Sequence, residues 1–443
     1  MLRIILTSCR ALSAALWTLA AILLFAWLVG RLFNDSFRWS QFIFWIPSLF
    51  TIFMSGLACA LALSIQFFLR GFEQIRTGGP LENRPPFFRR NAKNPYVLLC
   101  FAWFIAAAWS ATFEHRIPRA LMREWGFADS TRRRDRTSNS ILFWNIGGRV
   151  RDGWLDQLRL IDADLVVVSN QPNWSAVNDF KTLGAAPDPP GSSPASATPD
   201  APAAKRPSTT FLAGIFLIHT RLKLREWGFT ALNIKPGVGF DIRKQSGRYE
   251  NSDPGYSLYL IFDPEGTVKQ GTGQPFVVWL MDLPSDPTIS RQTITQEAMK
   301  SLDAWRGTAT VLAAEPDAKG EPQWINVPAD QLGRKGFPLP DVMIGDFNIP
   351  RGSRSLAHLT GDMENAFDQA GAGYTASYPR KVPFAQLDGP GLFSAVRFFI
   401  PSDVPFFHID QAFVAPSLRA TRYRVINLGA GTHWAQFVEI QAR

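Results

Sequence analysis

Cysteine is scarce in this chain of 443 residues, and where it occurs it is badly placed for polar chemistry. Cys9, Cys59 and Cys100 all lie in or beside hydrophobic runs, and no cysteine follows them. That excludes a disulfide framework or a thiolate zinc site from everything downstream. Histidine is nearly as rare: His115 follows an apolar run and the other four are scattered, which argues against a histidine-rich metal centre. No internal repeat is present, so a solenoid or propeller is excluded. The long apolar runs carry no interior charge, and this counts against a transport or conduction pathway.

What the first part of the chain does contain is length without charge. Ala11–Val29 is an unbroken apolar run, long enough to cross a bilayer at about 1.5 Å per helical residue. Phe42–Leu69 is longer, interrupted only by Gln66, Pro47 and small hydroxyl residues. Tyr96–Phe113 is shorter, with Trp103 and Trp109 as candidate interface anchors. Two further runs follow the first, and no small-residue cleavage site precedes Arg31, so a signal peptide explains the first run poorly. The pattern predicts three transmembrane helices and an integral, multi-pass protein.

The surplus of basic residues, a net charge of +9, is concentrated near these runs. Arg70, Arg76, Arg84, Arg89, Arg90 and Lys93 fill the loop between the second and third runs. With Arg3 and Arg10, they favour a cytoplasmic loop and N-terminus. Three crossings then place the C-terminal domain outside the cytoplasm. Arg116, Arg119, Arg123 and the Arg132–Arg136 cluster oppose that orientation, but large domains cross largely regardless of charge. Anionic lipid headgroups account for the basic collar as well as nucleic acid does, so the lipid bilayer is the expected partner. Nucleic-acid binding is not established by it, and no protein partner is predicted. The domains expected are a membrane domain over 1–115, a basic linker over 116–137 and a soluble domain over 138–443.

Within the soluble part, apolar or alternating runs at Ser257–Phe262, Phe276–Met281, Val342–Ile344 and Gln411–Val414 predict strands. Arg291–Trp305 predicts an amphipathic helix with Ile294, Ala298, Leu302 and Trp305 on one face, and Ser355–Leu359 opens another. The Pro/Ala/Ser tract Gly184–Ser208 has too few apolar groups to pack and predicts a disordered loop inside one domain. The strand at Val342 runs into Gly345-Asp346-Phe347-Asn348, delivering an Asp and an Asn, two residues apart, to its end. Such a pair offers an oxygen ligand for a hard cation and a donor for a phosphate. Alone it is also an ordinary turn.

Its companions give it weight. Ile141-Leu142-Phe143-Trp144-Asn145-Ile146-Gly147 precedes it, and Phe407-His408-Ile409-Asp410-Gln411-Ala412-Phe413-Val414 and Gly431-Thr432-His433-Trp434 follow. In this order and spacing, residues 138–443 resemble the endonuclease/exonuclease/phosphatase superfamily, the metal-dependent phosphodiesterases that include DNase I-like nucleases. Asp164-Leu165-Val166-Val167-Val168 is similar to the family's second strand and Gly214–Arg221 to its third. Asn365-Ala366-Phe367-Asp368 and Thr375–Pro379 match the segments after the Gly-Asp-Phe-Asn turn. The resemblance implies an α+β fold, a four-layer α/β/β/α two-sheet sandwich, here preceded by the three membrane helices.

It also implies roles. The Asp at 410 would orient His433 and favour its charged form, which stabilises charge growing on a phosphoryl group. Asp346 would activate water or hold the metal, and Asn348 would donate to the pentacoordinate centre. Asn145 and Arg351 would bind substrate, the arginine as a bidentate clamp together with Arg354 or else as part of a solvated face. The metal, Mg²⁺ or Mn²⁺, would fall to Asp346 with Gln171 and Asp282. Here the chain departs from the pattern: Gln171 stands where a metal-binding Glu is expected, Asp282 where a His is expected, and Thr432 where an Asp is expected. A neutral amide touches a cation without offsetting its charge. Two readings therefore stay open. One is a membrane-tethered, metal-dependent hydrolase of a phosphate ester; the other is a catalytically degenerate member acting as a binding or scaffolding module.

Overall fold

The computed structural model describes residues 2–77, 95–124, 138–147, 153–170, 178–180, 183, 208–235, 253–315, 323–378 and 405–443. The tract 184–207, Gln171, most of the basic loop before Pro95 and the Arg132–Arg136 cluster lie outside the described residues. The chain forms two compact units, Met1–Ala128 and Asp129–Arg443, whose boundary falls within the basic stretch 116–137.

The first unit is helical: α1 (Leu2–Phe33), α2 (Arg38–Phe44), α3 (Ser48–Thr77), α4 (Pro95–Trp109) and α5 (Ile117–Glu124). Three stretches are long and apolar enough to cross a membrane: Arg3–Phe33, Ser48–Glu73 and Pro95–Glu114. The apolar run Phe42–Leu69, expected as one span, is divided between α2 and α3. Pro47 is the reason. It disfavours helical geometry in Ile46 and lacks the N–H that would join the two helices, yet its carbonyl accepts from Thr51 to start α3. Beyond α4 the helix widens into one π turn, Ser110–Glu114. There Glu114 accepts from Ser110 Oγ (2.8 Å) and Ser48 Oγ (3.0 Å) and lies 2.8 Å from Arg31 Nη2, tying α1, α3 and α4 together.

The second unit has fourteen described strands: β1 (Asn139–Asn145), β2 (Leu165–Ser169), β3 (Thr209–Ala213), β4 (Phe216–Thr220), β5 (Leu224–Ala231), β6 (Tyr256–Phe262), β7 (Phe276–Asp282), β8 (Thr308–Leu312), β9 (Trp324–Pro328), β10 (Val342–Asp346), β11 (Glu364–Asn365), β12 (Asp410–Val414), β13 (Leu418–Ile426) and β14 (Ala435–Ala442). Its longer helices are α6 (Trp154–Arg159) and α7 (Arg291–Asp303), followed by the short α8 (Ala357–Thr360) and α9 (Ala366–Ala370). One sheet has the order β13-β14-β1-β2-β4-β3, and the other β11-β12-β10-β7-β6-β5-β8-β9. Pairing is antiparallel except for β1 with β2 and β7 with β10.

Side chains two apart share a strand face, and both faces of the central strands are covered. Between the sheets lie Ile141 and Phe143 of β1, Leu165 and Val167 of β2, Val278 and Leu280 of β7, Val342 and Ile344 of β10, and Ala412 and Val414 of β12. The alternate residues Leu142, Trp144, Val166 and Val168 face outward onto Trp154 and Leu158 of α6. On the other sheet Trp279, Met281 and Met343 pack against Ile294, Ala298 and Leu302 of α7. These are the residues expected on that helix's apolar face. Ser290 caps α7, accepting from the Thr293 N–H at 3.1 Å. Each such buried aliphatic or aromatic side chain contributes about 1.5–3 kcal/mol relative to exposure. Helix, sheet, sheet and helix thus stack in four layers.

Candidate active site

The inner-face period, carried one step beyond the last apolar residue, lands on polar side chains in every central strand. After Ile141 and Phe143 comes Asn145; after Leu165 and Val167 comes Ser169. After Val278 and Leu280 comes Asp282, and after Val342 and Ile344 comes Asp346. Read backward along β12 from Val414 and Ala412, the next is Asp410. Register lines them up. Asp410 pairs with Asp346, Asp346 with Asp282, and on the other sheet Asn145 pairs with Ser169. A row of three carboxylates therefore crosses one sheet at the end of the apolar core, facing two polar residues of the other.

Gly345 lets this row form. A Cβ built there would lie 1.9 Å from the Met281 carbonyl oxygen, so only glycine allows β10 this close to β7. Three residues on, Asn348 adopts a left-handed backbone (φ +49°), which asparagine tolerates. That turn brings its N–H to Asp346 Oδ1 at 2.9 Å.

Contacts across the rim are short. Asn145 Nδ2 donates to Asp346 Oδ2 at 2.8 Å, and Asn145 Oδ1 accepts from Gly147 N–H (3.0 Å) and Asn170 Nδ2 (3.2 Å). Asn170 Nδ2 also donates to Asp282 Oδ2 at 2.6 Å. His433 Nδ1 lies 2.9 Å from Asp410 Oδ2, and its Nε2 lies 3.8 Å from Asp346 Oδ2. Trp144 Nε1 holds the His433 carbonyl at 3.0 Å, and the Tyr378 ring covers the imidazole at 4.5 Å between centroids. Asp282, Asp346, Asp410 and His433 are all buried.

Burial sets the electrostatics. Asp346 is pushed up to about 7, by loss of solvent first and by Asp410 second, against the pull of His433. Asp282 is held well above the usual carboxylate range by burial, then by Asp346 and Asp253. For His433 burial opposes the charged ring, but Asp410 and Asp346 outweigh it and raise its pKa. Two carboxylates that resist ionisation thus stand beside an imidazole that favours it.

The structure brings together Asn145, Asp282, Asp346, Asp410 and His433, from five strands or strand ends. Asn348 is also present, but its amide donates to Leu283 O (2.7 Å) and its N–H to Asp346, so it clamps two turns as well as bordering the pocket. Arg351 is engaged by neighbouring side chains. Its Nη1 lies 2.7 Å from Asp368 Oδ1 and its guanidinium stacks 4.4 Å over the Phe367 ring, because α9 places both within reach. At the end of β2 the Asn170 amide reaches the pocket, from a left-handed backbone (φ +55°), while Gln171 lies outside the described residues. Only the register of β2 against β1, ending at Asn145–Ser169, identifies Asn170.

No protein-family profile matches the chain, and no curated protein matches it in sequence. Solved structures do. A mannosyl-6-phosphatase of Bacteroides thetaiotaomicron VPI-5482 is similar at 14% identity over 68% of this chain and 99% of that one, with a TM-score of 0.38. An endonuclease/exonuclease/phosphatase of Beutenbergia cavernae DSM 12333 is similar at 13% identity over 70% and 72%, with a TM-score of 0.36. The beta toxin of Staphylococcus aureus, a mutant with bound magnesium ions, is similar at 13% identity over 69% and 99%, with a TM-score of 0.34. These values are low, and the fold rests on the sheets and layers themselves. The soluble unit has the four-layer, two-sheet sandwich fold of the endonuclease/exonuclease/phosphatase, or DNase I-like, type.

Proposed function

We propose that this protein is a metal-dependent hydrolase of phosphate esters, acting on a phosphodiester, and that its apolar helices tether it to a membrane with the soluble unit outside the cytoplasm. The observation that carries the reading is the buried His433, held at Nδ1 by Asp410 and facing a second carboxylate, Asp346, through Nε2. A structural histidine inside a core needs one partner. This one has an acid on each side.

A divalent cation fits the residues present. Two buried carboxylates, Asp346 and Asp410, flank one imidazole with Asp282 beside Asp346, and Asp410 Oδ1 and Ser169 Oγ are buried without a hydrogen-bond partner among the described residues. The donors are hard oxygens, which suit Mg²⁺ or Mn²⁺ over softer ions. Asp346 would hold the ion, with the Asn145 amide beside it. When bound, such an ion polarises a phosphoryl oxygen and lowers the pKa of water. The protein's own groups do the rest. Asp410 keeps the His433 ring oriented and charged, and the ring places a proton where the phosphoryl charge grows. Asn145 fixes the Asp346 carboxylate, and the Asn348 N–H fixes its other oxygen.

A second reading has its own observation. Asn145 and Asn170 already donate to Asp346 and Asp282, so the polar layer is largely satisfied by protein groups. A binding or scaffolding module would keep such a layer for stability alone. Turnover separates the two. The full-length protein in detergent is assayed on bis(p-nitrophenyl) phosphate with Mn²⁺ and with chelator. Expected are metal-dependent hydrolysis and a loss of about 100-fold or more in His433→Ala and Asp346→Ala. Equal rates in parent and variants would remove the catalytic reading.

A further inference from the structure

Three buried carboxylates, those of Asp282, Asp346 and Asp410, stand at the rim with the single imidazole of His433. The ring and Asp410 lie to one side of Asp346, while Asp282 lies on the other, its register partner on the adjacent parallel strand. Neighbouring strands are roughly 4.8 Å apart, so inward carboxylates at paired positions can share one ion. Gly345 keeps these two strands at full pairing distance just before the paired aspartates.

We propose that Asp282 is the second carboxylate ligand of the divalent cation, which lies on the side of Asp346 away from His433, and that Asn170 is the residue that positions it. The inference rests on the functional reading above and adds the cation's place and its ligand. Among the described residues the donor that fixes the orientation of Asp282 is Asn170 Nδ2 at 2.6 Å, and Asn170 holds a left-handed backbone to supply it. The same amide bridges to Asn145 Oδ1, so a single residue orients both the acid and the asparagine that flank Asp346. Partners of this kind set ligand geometry at metal sites. An independent sign of a ligand is Ser169. Fully buried on the inner face, opposite Asn145 and next to Asn170, its hydroxyl has no partner among the described residues.

The test reads binding directly. Full-length protein in detergent, stripped of metal, is titrated with Mn²⁺ while the free ion is followed by electron paramagnetic resonance. Asp282→Asn weakens Mn²⁺ binding by about tenfold or more, and Asn170→Ala by about tenfold. Glu297→Gln, on an exposed face of α7, binds as the parent does. Thermal midpoints measured alongside identify any variant that has lost its fold. For that case Asp282→Cys serves instead, made with its parent in a Cys9→Ser/Cys59→Ser/Cys100→Ser background: with Cd²⁺ it gives a thiolate-to-metal absorption band that is absent from the cysteine-free parent. Parent-like Mn²⁺ binding in folded Asp282→Asn, or no band in folded Asp282→Cys, overturns the proposal. If the parent still hydrolyses the diester with Mn²⁺ in that event, the functional reading survives. A parent that binds no Mn²⁺ removes both.

Discussion

Asn145 donates to Asp346 Oδ2 at 2.8 Å across the gap between the two sheets, joining residues 201 positions apart. Each lies at the end of a strand whose preceding inner residues are wholly apolar. The bond therefore closes the core of the sandwich and shapes its polar rim at once. Losing either partner leaves a buried polar group unmatched, a cost of about 1–3 kcal/mol.

The Asp410–His433 pair makes activity pH-dependent in a defined direction. Asp410 raises the His433 pKa, so Asp410→Asn lowers it and shifts the alkaline limb of the rate profile to lower pH. Maximal turnover falls as well, by about tenfold or more. A profile of kcat/KM against pH for both proteins checks this; unmoved limbs would mean that His433 carries no proton in the rate-limiting step.

Stability should carry the same signature. Asp346 sits near 7 in the folded protein against about 3.9 in an unfolded chain. Between those values the native state binds more protons than the unfolded state, so stability falls as pH rises through that window. His433, whose folded pKa is also raised, stabilises fully below about 6.5 and loses that contribution as pH climbs through its folded pKa. The thermal midpoint of metal-stripped protein therefore drops from about pH 5 to about pH 8, and Asp346→Asn flattens the drop. Parallel curves for parent and variant would contradict it.

Gly345→Ala tests how the rim is assembled. The added methyl meets the Met281 carbonyl oxygen at 1.9 Å, and this is backbone, which cannot rotate away. We expect a loss of about 3 kcal/mol or more in urea denaturation, with activity falling beyond what the stability change explains. A variant as stable as the parent would show that β10 and β7 tolerate wider spacing.

Sidedness is open to labelling once Cys9, Cys59 and Cys100 are replaced by serine, because the second unit has no cysteine of its own. Asp330 is exposed, and Asp330→Cys in intact cells should react with a membrane-impermeant maleimide if the unit lies outside. Reaction only after the cells are broken would reverse the orientation.

Much of this was legible in the residues. Strands buried on both faces appear as unbroken apolar runs, and those at Tyr256–Phe262, Phe276–Asp282, Val342–Asp346 and Asp410–Val414 begin or end within two residues of where the runs predict. The four layers follow the resemblance carried by the Asn145, Gly345–Asn348, Asp410 and His433 motifs. Other elements were hidden. β5, β8, β9 and β13 mix polar and apolar residues because one face is partly exposed, and nothing local marks them. The run Phe42–Leu69 hid a break, since hydropathy measures composition while Pro47 acts through a missing N–H.

Which residues are polar and sit at strand ends is a local property, written in the order of side chains and their period of two. Sequence alone determined the apolar spans, the strand ends and the acids delivered to them. Which of those acids meet is set by strand pairing between distant segments, where a shift of one residue turns every side chain to the opposite face. Tertiary structure alone therefore brought Asn170 to Asp282, drew Arg351 to Asp368, and set Asp282 beside Asp346.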